Sequence, residues 1–209
     1  MISVNENSMP LVKKLIKNQE KFKIGVNKLD QGSTVIDLGQ NYRGSWEAAR
    51  IMAEILFGGI GGVDYTTFPE KIGDIYYPAV DVRVDHSILS LAGCDISGWE
   101  LSPGDFAPIL AGPGRTLGRK EEDWLEKYSD YEDKHHEAII TIESKDPINE
   151  KWAEKLRKAC SVEAEDLYIL VAPSSSLACS VQVASRILEQ TLHRMVEEDF
   201  NLDSIIQAE

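Results

Sequence analysis

Cysteine is scarce and poorly placed for cross-linking: Cys94, Cys160 and Cys179 are odd in number, widely spaced and form no C-x-x-C pair. That excludes a disulfide framework and a zinc site of local spacing, and fits a reduced compartment. Positive charge is short as well. Twenty-two Lys and Arg against 35 Asp and Glu leave a net charge of −13, and such a molecule repels nucleic acid and anionic membrane surfaces. No apolar run approaches the roughly 18 residues of a membrane span, and MISVNENSMP lacks the basic and apolar regions of a signal peptide. A cytoplasmic protein is expected. Repeats and low-complexity tracts are missing, and glycine is missing beyond Gly118, since all 15 lie between Gly25 and Gly118. Tight turns therefore belong to the first half and longer regular elements to the second.

What is present is 209 residues, 43% of them hydrophobic, enough for one core-bearing unit or two α/β subdomains with a boundary near 119–131. Charge is uneven: residues 1–100 carry 10 basic and 13 acidic side chains, residues 101–209 carry 12 and 22. Ser8 and Pro10 predict a helix over Met9–Glu20. Lys23–Leu29 and Ser33–Leu38, flanking Asp30-Gln31-Gly32, predict a hairpin. A helix over Ser45–Phe57 follows, then strands at Val63–Thr67 and Tyr77–Val84, a helix over Ser87–Ile96 and a loop from Ser97 to Gly118. The remainder reads as a charged helix at Glu121–Lys127, a strand at Ala138–Ile142, a helix over Pro147–Cys160 capped by Asp146, a strand at Leu167–Val171 and a long helix over Leu177–Glu198. Strands and helices interleave without regular βαβ spacing, so a mixed-sheet α+β architecture is expected.

Several motifs of known mechanism are absent. Gly112, Gly114 and Gly118 in LAGPGRTLGRK have the wrong spacing for a Walker loop. The segment, with Arg115, Arg119 and Lys120, is either a turn-rich structural loop or an anion site. Gly58-Gly59-Ile60-Gly61-Gly62 lacks G-x-G-x-x-G order and reads as a helix stop. Ser174, Ser175 and Ser176 lack a G-x-S-x-G elbow. His135 and His136 are adjacent, a spacing that rarely serves one metal. Trp46, Trp99, Trp124 and Trp152 are too scattered for a base-stacking platform. Asp85 and His86, at a strand end, read equally as a site rim or a helix cap.

The last helix is the most informative element. Gln182, Arg186, Glu189 and His193 fall at i, i+4, i+7 and i+11, one polar stripe. Val181, Ala184, Leu188, Leu192 and Met195 make a separate apolar face. Such a stripe is ordinarily solvated, and Arg186 with Glu189 is an ordinary surface ion pair. Its position argues the other way: it follows a strand-to-loop junction carrying three serines, and ligand sites in α/β proteins collect at strand ends.

LVAPSSSLACSVQVASRILE at residues 170–189 closely resembles the signature segment of methenyltetrahydromethanopterin cyclohydrolases. SVNENSMPLVKKLI at Ser3–Ile16, GSTVIDLG at Gly32–Gly39, Tyr77-Pro78-Ala79-Val80, and Gly98-Trp99 followed by Gly104-Asp105-Phe106 extend the resemblance collinearly. The resemblance implies a cytoplasmic homotrimeric enzyme of one-carbon metabolism. Such an enzyme converts a methenyl pterin to its N5-formyl form in a cleft between two α/β subdomains, with no metal or organic cofactor beyond the pterin itself. It further implies that Arg186 and Glu189 line that cleft, Glu189 as general base oriented by Arg186. Gln182, Ser174, Ser175, Ser176, Gly112, Pro113, Arg115 and Asp85 would bind the substrate. The chain departs from the family where A-Q-K-A-G-W becomes Cys94-Asp95-Ile96-Ser97-Gly98-Trp99, where S-G-P-A-R becomes Ala111-Gly112-Pro113-Gly114-Arg115, and where the cysteine of V-I-D-C-G becomes Leu38. About the last third of the family's length has no counterpart. Two functions stay open: a cyclohydrolase, or a diverged non-catalytic member that binds a pterin, serves as an interaction protein, or forms one part of a split enzyme completed by a second chain.

Overall fold

The computed structural model describes residues 1–96, 109–118 and 131–209. The expected helix at Glu121–Lys127 lies outside the described residues, as do Trp99, Arg119, Lys120 and Trp124.

Helix α1 runs Val4–Lys17 and starts earlier than Ser8 and Pro10 predict, because Ser3 is the cap: its Oγ accepts from the Glu6 amide at 3.0 Å. Ser3 and Glu6 have the S-x-x-E spacing of a capping box. Ser8 is instead buried within the helix, and Pro10 stands inside it with its ring exposed. After the short α2 (Gln19–Phe22) come β1 (Gly25–Lys28) and β2 (Thr34–Asp37), the antiparallel hairpin expected, with Gly25 opposite Asp37. Helix α3 (Trp46–Leu56) is capped by Ser45. Strands β3 (Gly61–Thr67) and β4 (Pro78–Val84) pair with each other as a separate antiparallel ribbon.

The next segment, Ile88–Asp95, is a π-helix, its wider turn closed by the Ile96 amide donating to Leu91 O at 3.0 Å. The expected loop to Gly118 is corrected in its described part: Ile109–Ala111 form β5 and Pro113–Thr116 a 3-10 turn. Gly112 makes that junction possible. Its φ is +105°, and an added Cβ would lie 3.1 Å from both Ile139 O and Thr141 N. Helix α4 (Glu150–Cys160) is capped by Asn149, not Asp146. Strands β6 (Ala138–Glu143) and β7 (Leu167–Ala172) flank it in sequence. The expected long last helix is two: α5 (Leu177–Ser185) and α6 (Ile187–Glu197), broken at Arg186.

The main sheet has the order β1-β2-β7-β6-β5, parallel across β2-β7-β6 and antiparallel at both edges. This is the mixed α+β architecture expected. Both faces are covered, which is why AIITIE and LYILVA are nearly continuous apolar runs. Ile36, Ile139 and Leu170 join the core beneath α1, α3 and α5, while Val35, Ile140, Ile142, Ile169 and Val171 pack with Ala153 and Leu156 of α4. Fully burying each such aliphatic side chain contributes about 1.5–3 kcal/mol. Asn5 ties the N-terminus to this frame: its Nδ2 donates to Asp133 Oδ2 at 2.9 Å and Pro113 O at 3.0 Å, and its Oδ1 accepts from the Ile139 amide at 3.2 Å.

Candidate active site

The parallel strands β6 and β7 end side by side, with Glu143 opposite Ala172. From Ala172 the chain passes through Pro173, Ser174 and Ser175 to Ser176, whose Oγ accepts from the Cys179 amide at 3.1 Å and starts α5. Helix α5 therefore rises from the C-terminal strand ends, where ligand sites of α/β proteins collect.

The break at Arg186 has a local cause. Ser185 Oγ turns back to donate to Val181 O at 2.9 Å, an interaction that bends helices. Arg186 then takes φ −79° and ψ 6°, and its amide donates to Val183 O, three residues back, at 3.2 Å. Beyond the break, Glu189 falls in the first turn of α6, where the helix dipole favours a negative charge. The residue is 4% exposed. Arg186 holds it from the break, Nε donating to Oε2 at 3.0 Å and a terminal nitrogen to the same oxygen at 2.6 Å.

The polar stripe is thus turned inward over three of its four members. Gln182 and Glu189 are buried and Arg186 is half-buried, while His193 is exposed. The outward face instead carries Val183 and Ile187. A recess opens beside the stripe, lined by Thr141, Ile142 and Glu143 of β6, Ala111, Ala172, Met52 and Leu56, and Cys179, Gln182 and Arg186. Its volume is about 20 Å³, room for one water at roughly 10–15 Å³. Four polar side chains surround that space, so a water there has the partners it needs.

Two carboxyl groups that sequence reasoning missed belong to this neighbourhood. Glu143 lines the recess, and burial together with its charge pushes the Cys179 thiol up to about 11. Asp95, the last residue of the π-helix, is fully buried with Oδ1 3.7 Å from Arg186 Nε. Burial raises its pKa, Arg186 opposes the shift and Glu189 adds to it, giving about 8. The signal for Asp95 was legible: it is the one carboxyl side chain in ILSLAGCDI.

The other sequence candidates are distributed differently. Ser174 and Ser175 are exposed at the strand end, and Ser176 is buried as the cap. Gly112 and Pro113 are buried where β5 turns, and Pro113 O accepts from Asn5 and from Thr116. Arg115 is 7% exposed and donates to Ala92 O at 3.0 Å, binding its turn to the π-helix. Asp85 is exposed, accepts from Gln207 Nε2 at 3.0 Å and borders a separate surface depression. His135 pairs with Glu137 at 3.1 Å. Among the described residues no cluster of three or more His, Cys, Asp or Glu is arranged to hold a metal ion, and no helix is long and apolar enough to cross a membrane.

Comparison with known proteins bears on this arrangement. A family model described as Cyclohydrolase (MCH) matches residues 3–209. The methenyltetrahydromethanopterin cyclohydrolase of Methanocaldococcus jannaschii is 35% identical over 209 residues, covering 100% of this chain and 64% of that protein. Its counterpart from Methanosarcina barkeri is 33% identical over 205 residues, 98% of this chain and 63% of that protein. The Methanothermobacter marburgensis protein is 34% identical over 197 residues, 94% and 61% respectively. The chain therefore spans less than two-thirds of the length of these curated relatives.

Proposed function

The chain belongs to the cyclohydrolase (MCH) family, and from that premise we propose that it hydrolyses the methenyl bridge of a tetrahydromethanopterin-type pterin to the N5-formyl form. The observation that carries this reading is the Glu189 carboxylate, buried and clamped by Arg186 at a helix break beside a water-sized recess.

A methenyl carbon bridging two nitrogens is cationic and electrophilic, so the reaction asks for a placed water and a base rather than for a resident cofactor. Water adds its oxygen to that carbon and passes one proton to Glu189, leaving a neutral carbinolamine. As this collapses, the C–N bond breaks and its electron pair goes to the departing nitrogen, which takes the proton back from Glu189. The hydroxyl proton leaves as the formyl carbonyl forms. One cation and one water thus yield the formyl pterin and one proton. A positioned base contributes about 10²- to 10⁴-fold in rate, equivalent to about 3–5 kcal/mol of barrier. Arg186 orients the carboxylate through its two hydrogen bonds. Gln182, on the recess wall, holds the water; Ser174 and Ser175 meet the pterin. Gly112, Pro113 and Arg115 brace the π-helix against the end of β5, and Asp85, at a separate depression, stands apart from the recess. Glu189→Gln is expected to abolish the loss of methenyl absorbance while leaving the circular dichroism unchanged; near wild-type turnover would remove Glu189 from the mechanism.

A second reading is favoured by the apolar side chains left exposed: Phe68, Ile72, Ile75, Tyr76 and Tyr77 around the β3–β4 ribbon, with Val183 and Ile187 beside the site. Here a different chain covers these faces and completes the cleft. Activity of the purified chain alone supports the first reading, and activity only with lysate from its source supports the second.

A further inference from the structure

We propose that Asp95 is a positioning residue acting through Arg186: while its carboxyl carries a proton it leaves the guanidinium to Glu189, and on losing that proton it draws the guanidinium towards itself. The catalytic consequence rests on the hydrolase reading above; the coupling between Asp95 and Arg186 does not.

Geometry makes the case. Asp95 is 0% exposed, and neither carboxyl oxygen has a hydrogen-bond partner among the described residues. A carboxylate in such a place keeps its charge only at a large desolvation cost, so the neutral acid is favoured. At 3.7 Å, Oδ1 is within ion-pair range of Arg186 Nε but beyond hydrogen-bond length. The same Nε already donates to Glu189 at 3.0 Å. Two carboxyl groups therefore compete for the single hydrogen on Nε, and a shift of under about 1 Å would give Asp95 a hydrogen bond.

The neighbouring charges agree with this. Arg186 and Glu189 face Asp95 from the helix break, with opposite effects on its ionisation. Cys94 lies beside it, and Arg115, from the turn after β5, acts on Cys94. Phe57, the C-cap of helix α3, presents its carbonyl there, which accepts from Ser90 Oγ at 3.0 Å. With a pKa of about 8, Asp95 is mostly neutral at pH 7 and mostly charged at about pH 9. Its neutral form suits a position where the family resemblance places glutamine. Once ionised, it attracts Arg186 through a low-dielectric gap and loosens the clamp on Glu189.

Asp95→Asn in the full chain tests this in two ways. In the wild type the NMR resonance of the Arg186 Nε–H, identified by its loss in Arg186→Lys, should titrate with a midpoint near about pH 8, and in Asp95→Asn it should stay fixed. A resonance that stays still in the wild type, or moves equally in the variant, overturns the proposal whether or not the chain turns over. With methenyl pterin, wild-type kcat should fall about tenfold from its plateau by about pH 9, while the variant stays within about twofold and KM is the same in both. Equal alkaline limbs also overturn the proposal. Absence of turnover with the titration intact would remove the hydrolase reading and leave the coupling standing.

Discussion

Asp95 and Asp133 are both buried carboxyl groups, yet their surroundings drive them in opposite directions. Around Asp133, burial opposes ionisation, but donors from Asn5, Ser3 and His135 outweigh it and hold the pKa below the ordinary value. Its stabilising contribution is present above the ordinary carboxyl pKa and is lost as the pH falls through the lowered one. Asn5→Ala removes the Nδ2 donor while the backbone amide stays in place, and by chemical denaturation at neutral pH it is expected to lose about 1–3 kcal/mol, with a smaller loss in acid. Among the described residues Asp95 has no such donors, and its pKa is raised to about 8. The sign is therefore reversed: its contribution is intact below about pH 4 and is lost progressively as the pH rises to about 8. The thermal midpoint of Asp95→Asn should gain on the wild type over that interval and run parallel above it. A constant offset across the range would mean that Asp95 titrates normally.

At the scale of elements, the turn from β7 into α5 serves two purposes that one variant can separate. Ser176 caps α5, whereas Ser174 and Ser175 are exposed beside it. Ser176→Ala is expected to cost about 1 kcal/mol of stability with little change in KM, and replacing Ser174 or Ser175 should raise KM with little change in stability. Most elements were legible in the sequence because their periodicity and caps are local. The failures have physical reasons too. The break at Arg186 carries neither proline nor glycine, and it follows the back-bond of the Ser185 hydroxyl to Val181 O. Strand β5 is only three residues long and exists because β6 offers it an edge. Asn149 displaced Asp146 as a cap because the chain enters α4 later than its composition indicates.

For the molecule as a whole, the net charge of −13 is concentrated in the second half of the sequence. Screening should relieve self-repulsion among the exposed carboxylates, so the thermal midpoint is expected to rise as salt is added from about 10 mM to about 1 M. A flat or falling curve would show that the surface ion pairs, such as Arg194 with Glu197 and Lys14 with Glu47, outweigh the excess. The homotrimer implied by the family resemblance predicts a light-scattering mass near three times 23.3 kDa, with the exposed apolar ribbon covered.

The sequence by itself determined the fold class, most of the elements, and the pairing of Arg186 with Glu189, because hydrophobic period, caps and an i, i+3 spacing are properties of neighbouring residues. It left the polar stripe ambiguous between a solvated face and a site, since spacing says nothing about what lies opposite. Tertiary packing decided that. The π-helix brought Asp95, 91 positions away in sequence, to within 3.7 Å of Arg186, and the strand ends brought Glu143 to the recess. Burial of a charge depends on every element packed around it, and only the folded chain assembles them.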